Sequence, residues 1–137
     1  SWGVLGAAEA CYDEVLEFTK TRMLFGSPLA SKQIVQWKLA KILTEITRGQ
    51  LLALELSRLK NEDSIHFSQI SMGKQANCEM ALSVARSCRD ILGANGITHE
   101  YETMRHMCNL ETVITYEGTN DIHLLIIGHE LSGTTAF

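Results

Sequence analysis

The sequence predicts an all-α fold, an antiparallel four-helix bundle with one short connector helix. Three observations predict it. Apolar residues recur at alternating steps of three and four, period-2 alternation is almost absent, and the chain holds a single proline, Pro28. At 137 residues, 45% hydrophobic and 20% charged, the chain is one domain's worth and can bury one proper core.

The first helix is marked by Leu5, Ala8, Tyr12 and Val15 and is expected to run to about Leu24. "FGSPLAS" then breaks it, with Gly26 suited to a helix C-cap and Pro28 fixing the turn. The second helix, the longest, is expected from about Ser31, a candidate N-cap, to Asn61. Its stripe is Val35, Leu39, Ile42, Ile46, Gly49, Ala53 and Leu56, and the small residues at 49 and 53 let a neighbouring helix come close. After the polar turn "NEDS" a third helix is expected from about Ile65 to Leu92, with Cys78, Leu82, Ala85 and Leu92 on one side. "GANG" stops it. A shorter helix from about Glu102 to Thr112 connects to the last, from about Asn120 to Leu131.

The net charge of −4 and the lack of a Lys/Arg cluster exclude a nucleic-acid binder. No apolar run approaches the roughly 20 residues of a membrane span. The chain shows no signal or transit segment and opens as the inside of a helix, which points to a piece of a longer polypeptide. Cys11, Cys78, Cys88 and Cys108 form no CxxC pair and share no metal-ligand spacing with the histidines, so no metal site and four buried free thiols are expected.

Three stretches carry chemistry. In "TYEGTNDIH", Thr119 or Asn120 can cap the last helix, whose free N–H groups favour an anion or an electron-rich ring edge. Glu117 beside that helix start reads first as a solvated acid, the alternative being a base held against something it must deprotonate. In "RMLFG" with the later Gln33, Arg22 can reach a phosphate as a forked donor and Phe25 offers a flat apolar surface, though by itself the stretch reads sooner as a surface arginine beside a core aromatic. In "RDILGANG", Gly93 and Gly96 permit close approach to a ligand, or merely end a helix.

The order and spacing of these stretches resemble the C-terminal helical domain of the acyl-CoA dehydrogenases, in which "R-x-x-F-G" with a following Gln, a "GGNG"-like break and "YEGT" recur. The resemblance covers essentially all of residues 1–137. "RHMCNLE", Arg105 to Glu111, together with "TYEGTNDIH" looks like the glutaryl-CoA dehydrogenase branch. The resemblance implies a longer FAD enzyme, with N-terminal helical and middle β-domains that this chain lacks, and a fragment inactive by itself. It implies that Glu117 is the base for the α-proton of an acyl-CoA while hydride leaves Cβ for flavin N5, with Tyr116 and Gly118 beside the thioester. Arg22, Phe25 and Gln33 match contacts to FAD, made to a neighbouring subunit's cofactor. Asp90, Ile91, Leu92, Gly93 and Ala94 match a segment touching FAD across that interface. Thr119, Asn120 and Asp121 match the helix start against the cofactor, and Phe137 a further contact.

Asp90 stands where many relatives carry Gln, Ala94 where a second Gly is common, and Asn120 where His is frequent. The resemblance further implies glutaryl-CoA as substrate, decarboxylation to crotonyl-CoA in lysine and tryptophan degradation, and electron-transfer flavoprotein as acceptor. It implies a homotetramer built as a dimer of dimers, in the mitochondrial matrix of a eukaryote or the cytoplasm of a bacterium. An acyl-CoA dehydrogenase for another short or branched chain and a non-catalytic helical module are the alternatives.

Overall fold

The computed structural model describes residues 1–135, so Phe137 lies outside the described residues. Five helices carry the fold: α1 (Trp2–Thr21), α2 (Gln33–Asn61), α3 (Phe67–Leu92), α4 (Thr103–Val113) and α5 (Asn120–Ser132). An antiparallel hairpin of β1 (Met23–Leu24) and β2 (Ser27–Pro28) sits between α1 and α2, and 3-10 turns cover Leu29–Ser31 and Gly93–Ile97. No described helix is long and apolar enough to cross a membrane.

The stripes form the core. Along α2, Val35, Leu39, Ile42, Ile46, Gly49 and Ala53 are buried, with Leu56 half-buried at the end of the same face. They meet Leu5, Ala8 and Val15 of α1 and Cys78, Ala81, Leu82, Ala85 and Leu92 of α3. Polar ties show the directions. The Trp2 indole N–H donates to Ser57 Oγ at 3.2 Å and Gln50 donates to Glu9, so α1 and α2 run antiparallel. Asn77, only 1% exposed, donates from Nδ2 to the Gly49 carbonyl at 3.2 Å, and Lys38 pairs with Asp90, so α2 and α3 are also antiparallel. A Cβ on Gly49 would stand 2.8 Å from Met80 Cε and 2.9 Å from Leu5 Cδ2, which is the close approach the stripe requires.

α3 is the element against which all the other helices pack. α5 lies mainly on α3 and buries no residue completely. α4 does more than connect, since Leu110 is 1% exposed and Thr103 is fully buried.

Four local expectations are corrected. α1 ends at Thr21, and Met23 and Leu24 are strand, because the chain turns back at once through Phe25 (φ 50°) and Gly26 (φ 76°). Two consecutive left-handed residues suit a two-residue hairpin turn, so Gly26 is a turn residue and not a C-cap. Ser31 does not cap α2; it lies in the 3-10 turn, its hydroxyl bonded to the Pro28 carbonyl at 2.7 Å, and α2 begins behind Lys32. Cys108 is exposed on the outer side of α4, whereas Cys11, Cys78 and Cys88 are buried. Burial pushes the Cys11 thiol up to about 11, which keeps it protonated and inert near neutrality.

The start of α4 is capped from another helix. Glu14 of α1 accepts from the Glu102 N–H at 2.8 Å, the Thr103 N–H at 3.0 Å and the Thr103 hydroxyl at 2.6 Å. Two otherwise unpaired helix-start donors and a buried hydroxyl depend on this one carboxylate. Glu14→Ala is expected to lower stability by about 2 kcal/mol or more, read as a fall in the urea unfolding midpoint. A midpoint unchanged from the parent would show that water replaces the carboxylate at no cost.

Candidate active site

The segment that follows α4 explains the position of Glu117. N–H groups of Ile114, Thr115 and Tyr116 close the helix onto the carbonyls of Leu110 and Thr112. Glu117 then adopts φ 55° and Gly118 φ 90°, a left-handed pair that turns the chain sharply. At Gly118 the left-handed φ is matched by close packing, since a Cβ there would meet His123 Nε2 at 3.0 Å. α5 starts immediately afterwards, with Thr119 as its N-cap, its Oγ1 accepting from the Ile122 N–H at 3.3 Å. Between the two capping candidates the structure selects Thr119, and Asn120 is the first helical residue.

Glu117 and Tyr116 line a cavity of about 510 Å³ between the start of α1, α3, α4 and this loop. Val4, Ala7, Cys78, Leu110 and Val113 give it apolar walls, and Lys74, Arg105, His106 and Asn109 its polar positions. Burial, helped by the charge of Arg105, holds the His106 imidazole below its ordinary pKa of 6.5, so it is neutral at pH 7. Arg105 is engaged by Glu102 in the turn before it. Glu117 itself is exposed in this chain.

The remaining predicted residues form two separate sets. Arg22, Phe25 and Gln33 lie exposed around the hairpin, at the end of the bundle where α3 also finishes with Asp90, Ile91, Leu92, Gly93 and Ala94. Phe25 is 91% exposed, with Lys32 Nζ 5.9 Å from its ring centroid. Asp90, Gly93 and Ala94 face solvent, but Ile91 and Leu92 belong to the core. Thr119, Asn120 and Asp121 belong to the Glu117 loop. That loop meets α3 at Lys74, about 24 Å of helix away from Asp90.

Both sets have features of a binding surface. Asn120 Oδ1 and both ring nitrogens of His123 are shut off from solvent with no hydrogen-bond partner among the described residues, a costly state for polar atoms in a finished interior. At the other end, a groove of about 360 Å³ between α2 and α3 carries Trp37, Lys38, Lys41, Arg86, Arg89 and Asp90. Among the described residues no His, Cys, Asp or Glu group is arranged to hold a metal ion.

Sequence reasoning left three residues of the site without a role. His123 carries no signal of its own beyond its place in "TYEGTNDIH". Lys74 and Glu14 act across 44 and 89 positions of sequence, and no local pattern marks contacts of that range.

Comparison with known proteins follows this geometry. Residues 1–132 match the family described as "Acyl-CoA dehydrogenase, C-terminal domain". The short-chain specific acyl-CoA dehydrogenase of Megasphaera elsdenii is 31% identical over 127 residues, covering 93% of this chain and 33% of that protein. The crystal structure of glutaryl-CoA dehydrogenase from Mycobacterium smegmatis superposes with a TM-score of 0.96 at 46% identity, over 98% of this chain and 35% of that one. A second structure of that enzyme, in complex with FADH2, gives 0.96 at 45%. The chain thus spans about a third of the length of the relatives it matches.

Asp90 makes the hairpin end of the site testable by titration. Lys38 Nζ hydrogen-bonds it at 2.5 Å, and the hydrogen bond and charge of Lys38 hold its carboxyl below the ordinary carboxylate range, with Arg89 adding a little. A depressed folded-state pKa stabilises above the unfolded value of about 4 and is lost as pH falls through the folded value. With the Asp90 side chain 54% exposed, solvent screening leaves the contribution small. Lys38→Met is expected to raise the Asp90 titration midpoint, read by carbon NMR of the carboxyl. An unmoved midpoint would remove the ion pair from the account.

Proposed function

The chain belongs to the acyl-CoA dehydrogenase family, to its C-terminal domain, and on that footing we propose that it is the catalytic-base domain of an FAD-dependent glutaryl-CoA dehydrogenase. The observation that carries this reading is Glu117, held by a left-handed turn on the rim of a largely apolar cavity. The likeness to the M. smegmatis glutaryl-CoA dehydrogenase, 46% identical over 98% of the chain, supports the substrate.

The chemistry needs such an acid. The α-proton of an acyl thioester is weakly acidic, so the base must sit against Cα in a place from which water is excluded. Val4, Leu110 and Val113 give the acyl chain an apolar wall, and neutral His106 adds no competing charge. Glu117 takes the α-proton as hydride leaves Cβ. FAD, when bound, supplies the acceptor for that hydride. Loss of CO₂ from the distal carboxylate of the enoyl product leaves a dienolate, and a proton added at its γ-carbon gives crotonyl-CoA.

Arg22, Phe25, Gln33 and the exposed atoms of residues 90–94 would hold FAD at one end of the bundle, and Thr119, Asn120 and Asp121 at the other. The orphaned Asn120 Oδ1 fits a group still to be bound. The separation of the two sets along α3 supports an assembly in which one copy's hairpin serves a neighbour's cofactor. A homotetramer, a dimer of dimers, is the form proposed, with electron-transfer flavoprotein as electron acceptor and the mitochondrial matrix or a bacterial cytoplasm as location. The domain is proposed to work only within a longer chain that adds a β-domain and N-terminal helices.

A dehydrogenase of short acyl-CoA without a distal carboxylate is the second reading, favoured by the short-chain specific relatives of M. elsdenii and Homo sapiens. Turnover of glutaryl-CoA with CO₂ release, against turnover of butyryl-CoA alone, separates the two.

Glu117→Gln in the full-length enzyme is expected to keep fold, FAD and acyl-CoA binding while dehydrogenation falls on the order of 10²–10⁴-fold or more. The amide is nearly isosteric and cannot accept the α-proton. Glu111→Gln is the control: Glu111 pairs with Arg86 on the outside of α4, and most activity should remain. Flavin bleaching by substrate in the Glu117→Gln enzyme at the parent rate would place the base elsewhere.

A further inference from the structure

The carboxylate that does the chemistry is on a loop, yet a base for so weak an acid has to be held still. Lys74, on α3, meets that loop on both sides of Glu117. Its Nζ donates to the Tyr116 carbonyl at 2.8 Å and to the Gly118 carbonyl at 2.5 Å, and stands 6.0 Å from the Tyr116 ring centroid. The two carbonyls belong to the residues immediately before and after Glu117, so the pair of bonds closes a ring through the backbone of the base itself.

This is not ordinary capping of a helix end. The last turn of α4 is already closed by the Ile114, Thr115 and Tyr116 N–H groups, and Tyr116 and Gly118 lie beyond it. Nor does Lys74 neutralise the base, since among the described residues no ion pair joins it to Glu117. Two of the three ammonium donors are used on backbone, and the carboxylate is left to act. The His123 ring also packs against Gly118, so closely that a Cβ would not fit without movement. The loop is therefore held by a lysine and packed by an imidazole, in a left-handed conformation that a residue with a side chain seldom adopts unaided.

Lys74 has a fixed base of its own. It lies half-buried one turn before Asn77 and Cys78, both in the core of the most densely packed helix. We propose that Lys74 is the positioning residue of the catalytic loop, carrying the rigidity of α3 to Glu117 through the two flanking carbonyls. Its catalytic consequence rests on the reading of Glu117 as the base, while its structural part does not.

The test uses the full-length holoenzyme as parent, Lys74→Met, Lys74→Arg and Glu117→Gln. Amide hydrogen exchange of residues 116–119 should be about tenfold faster or more in Lys74→Met, with α3 and α5 unchanged. With glutaryl-CoA, kcat should fall on the order of 10²-fold, as a misplacement near 1 Å costs, while KM stays within roughly threefold. Lys74→Arg, which keeps the charge and the donors, should recover most of kcat. Exchange at the parent rate in Lys74→Met overturns the clamp, and so does a KM that rises with kcat unchanged. If Lys74→Met does not assemble, Lys74→Gln, which keeps one donor, is measured in the same way and should fall between the two. Should the parent ignore glutaryl-CoA, or Glu117→Gln match it, the functional reading fails, and the exchange measurement still decides the clamp.

Discussion

The fold depends on α3 being thin enough to be surrounded. Ala81, Ala85, Cys78 and Cys88 are small and buried, and Gly73 sits where a Cβ would overlap Leu56 Cδ1 at 2.2 Å. With no large side chain at these places, α1, α2 and α4 approach the same helix from different sides and α5 covers what is left. Each larger neighbour then fills a gap that α3 provides: Leu5, Val15, Ile42, Ile46 and Leu110 are nearly or completely buried. Burying a single such side chain is worth about 1.5–3 kcal/mol, whereas an exposed ion pair such as Arg58 with Glu55 is screened by solvent. The apolar packing around α3, and not the surface charge, decides stability.

The polar ties that matter are the long-range ones, and they set geometry. Glu14 fixes where α4 begins, Arg86 and Glu111 hold its later part to α3, and Lys74 receives the chain as it leaves. Glu14 and Lys74 each join the end of a helix or the loop beyond it to a helix that already lies in the core. A loop anchored in this way inherits the position of its supports, so Glu117 can be exposed on a cavity rim and still be placed. Exposure keeps the carboxylate accessible, and the left-handed backbone at Glu117 and Gly118 makes the turn short enough for α5 to start at once.

This division explains which parts were legible in the sequence. The stripe on α2 is legible residue by residue because burial on a helix repeats with the helical period, and six of its seven positions are buried. The hairpin was not, because strands of two residues have no period to detect. Phe25 and Gly26 looked like the end of a helix, since glycine serves left-handed turns of either kind. Cys108 is of the same residue type as the buried thiols, yet it falls on the outward side of α4, and residue type alone does not fix a helix face. Thr119 as the cap of the last helix was legible, and Glu117 and Arg22 stood out as candidates, because a motif stores them locally. Glu14, Lys74 and the packing of His123 against Gly118 arise only when helices meet, and no window of sequence contains both partners.

The placement of the two candidate binding sets follows from the same architecture. Helices that alternate in direction put the α1–α2 hairpin beside the end of α3, and put the α4–α5 loop beside the earlier part of α3. One copy therefore presents an aromatic and an arginine at one end, and an acid with orphaned polar atoms toward the other, with the length of a packed helix between them. α3 cannot shorten without losing the residues that hold α1 and α2 together, so the two sets cannot converge within a chain of this fold. If both sets serve one kind of cofactor, as proposed, the second set has to come from another copy. The rigid core that keeps Glu117 in place is then the same feature that makes the site a shared one.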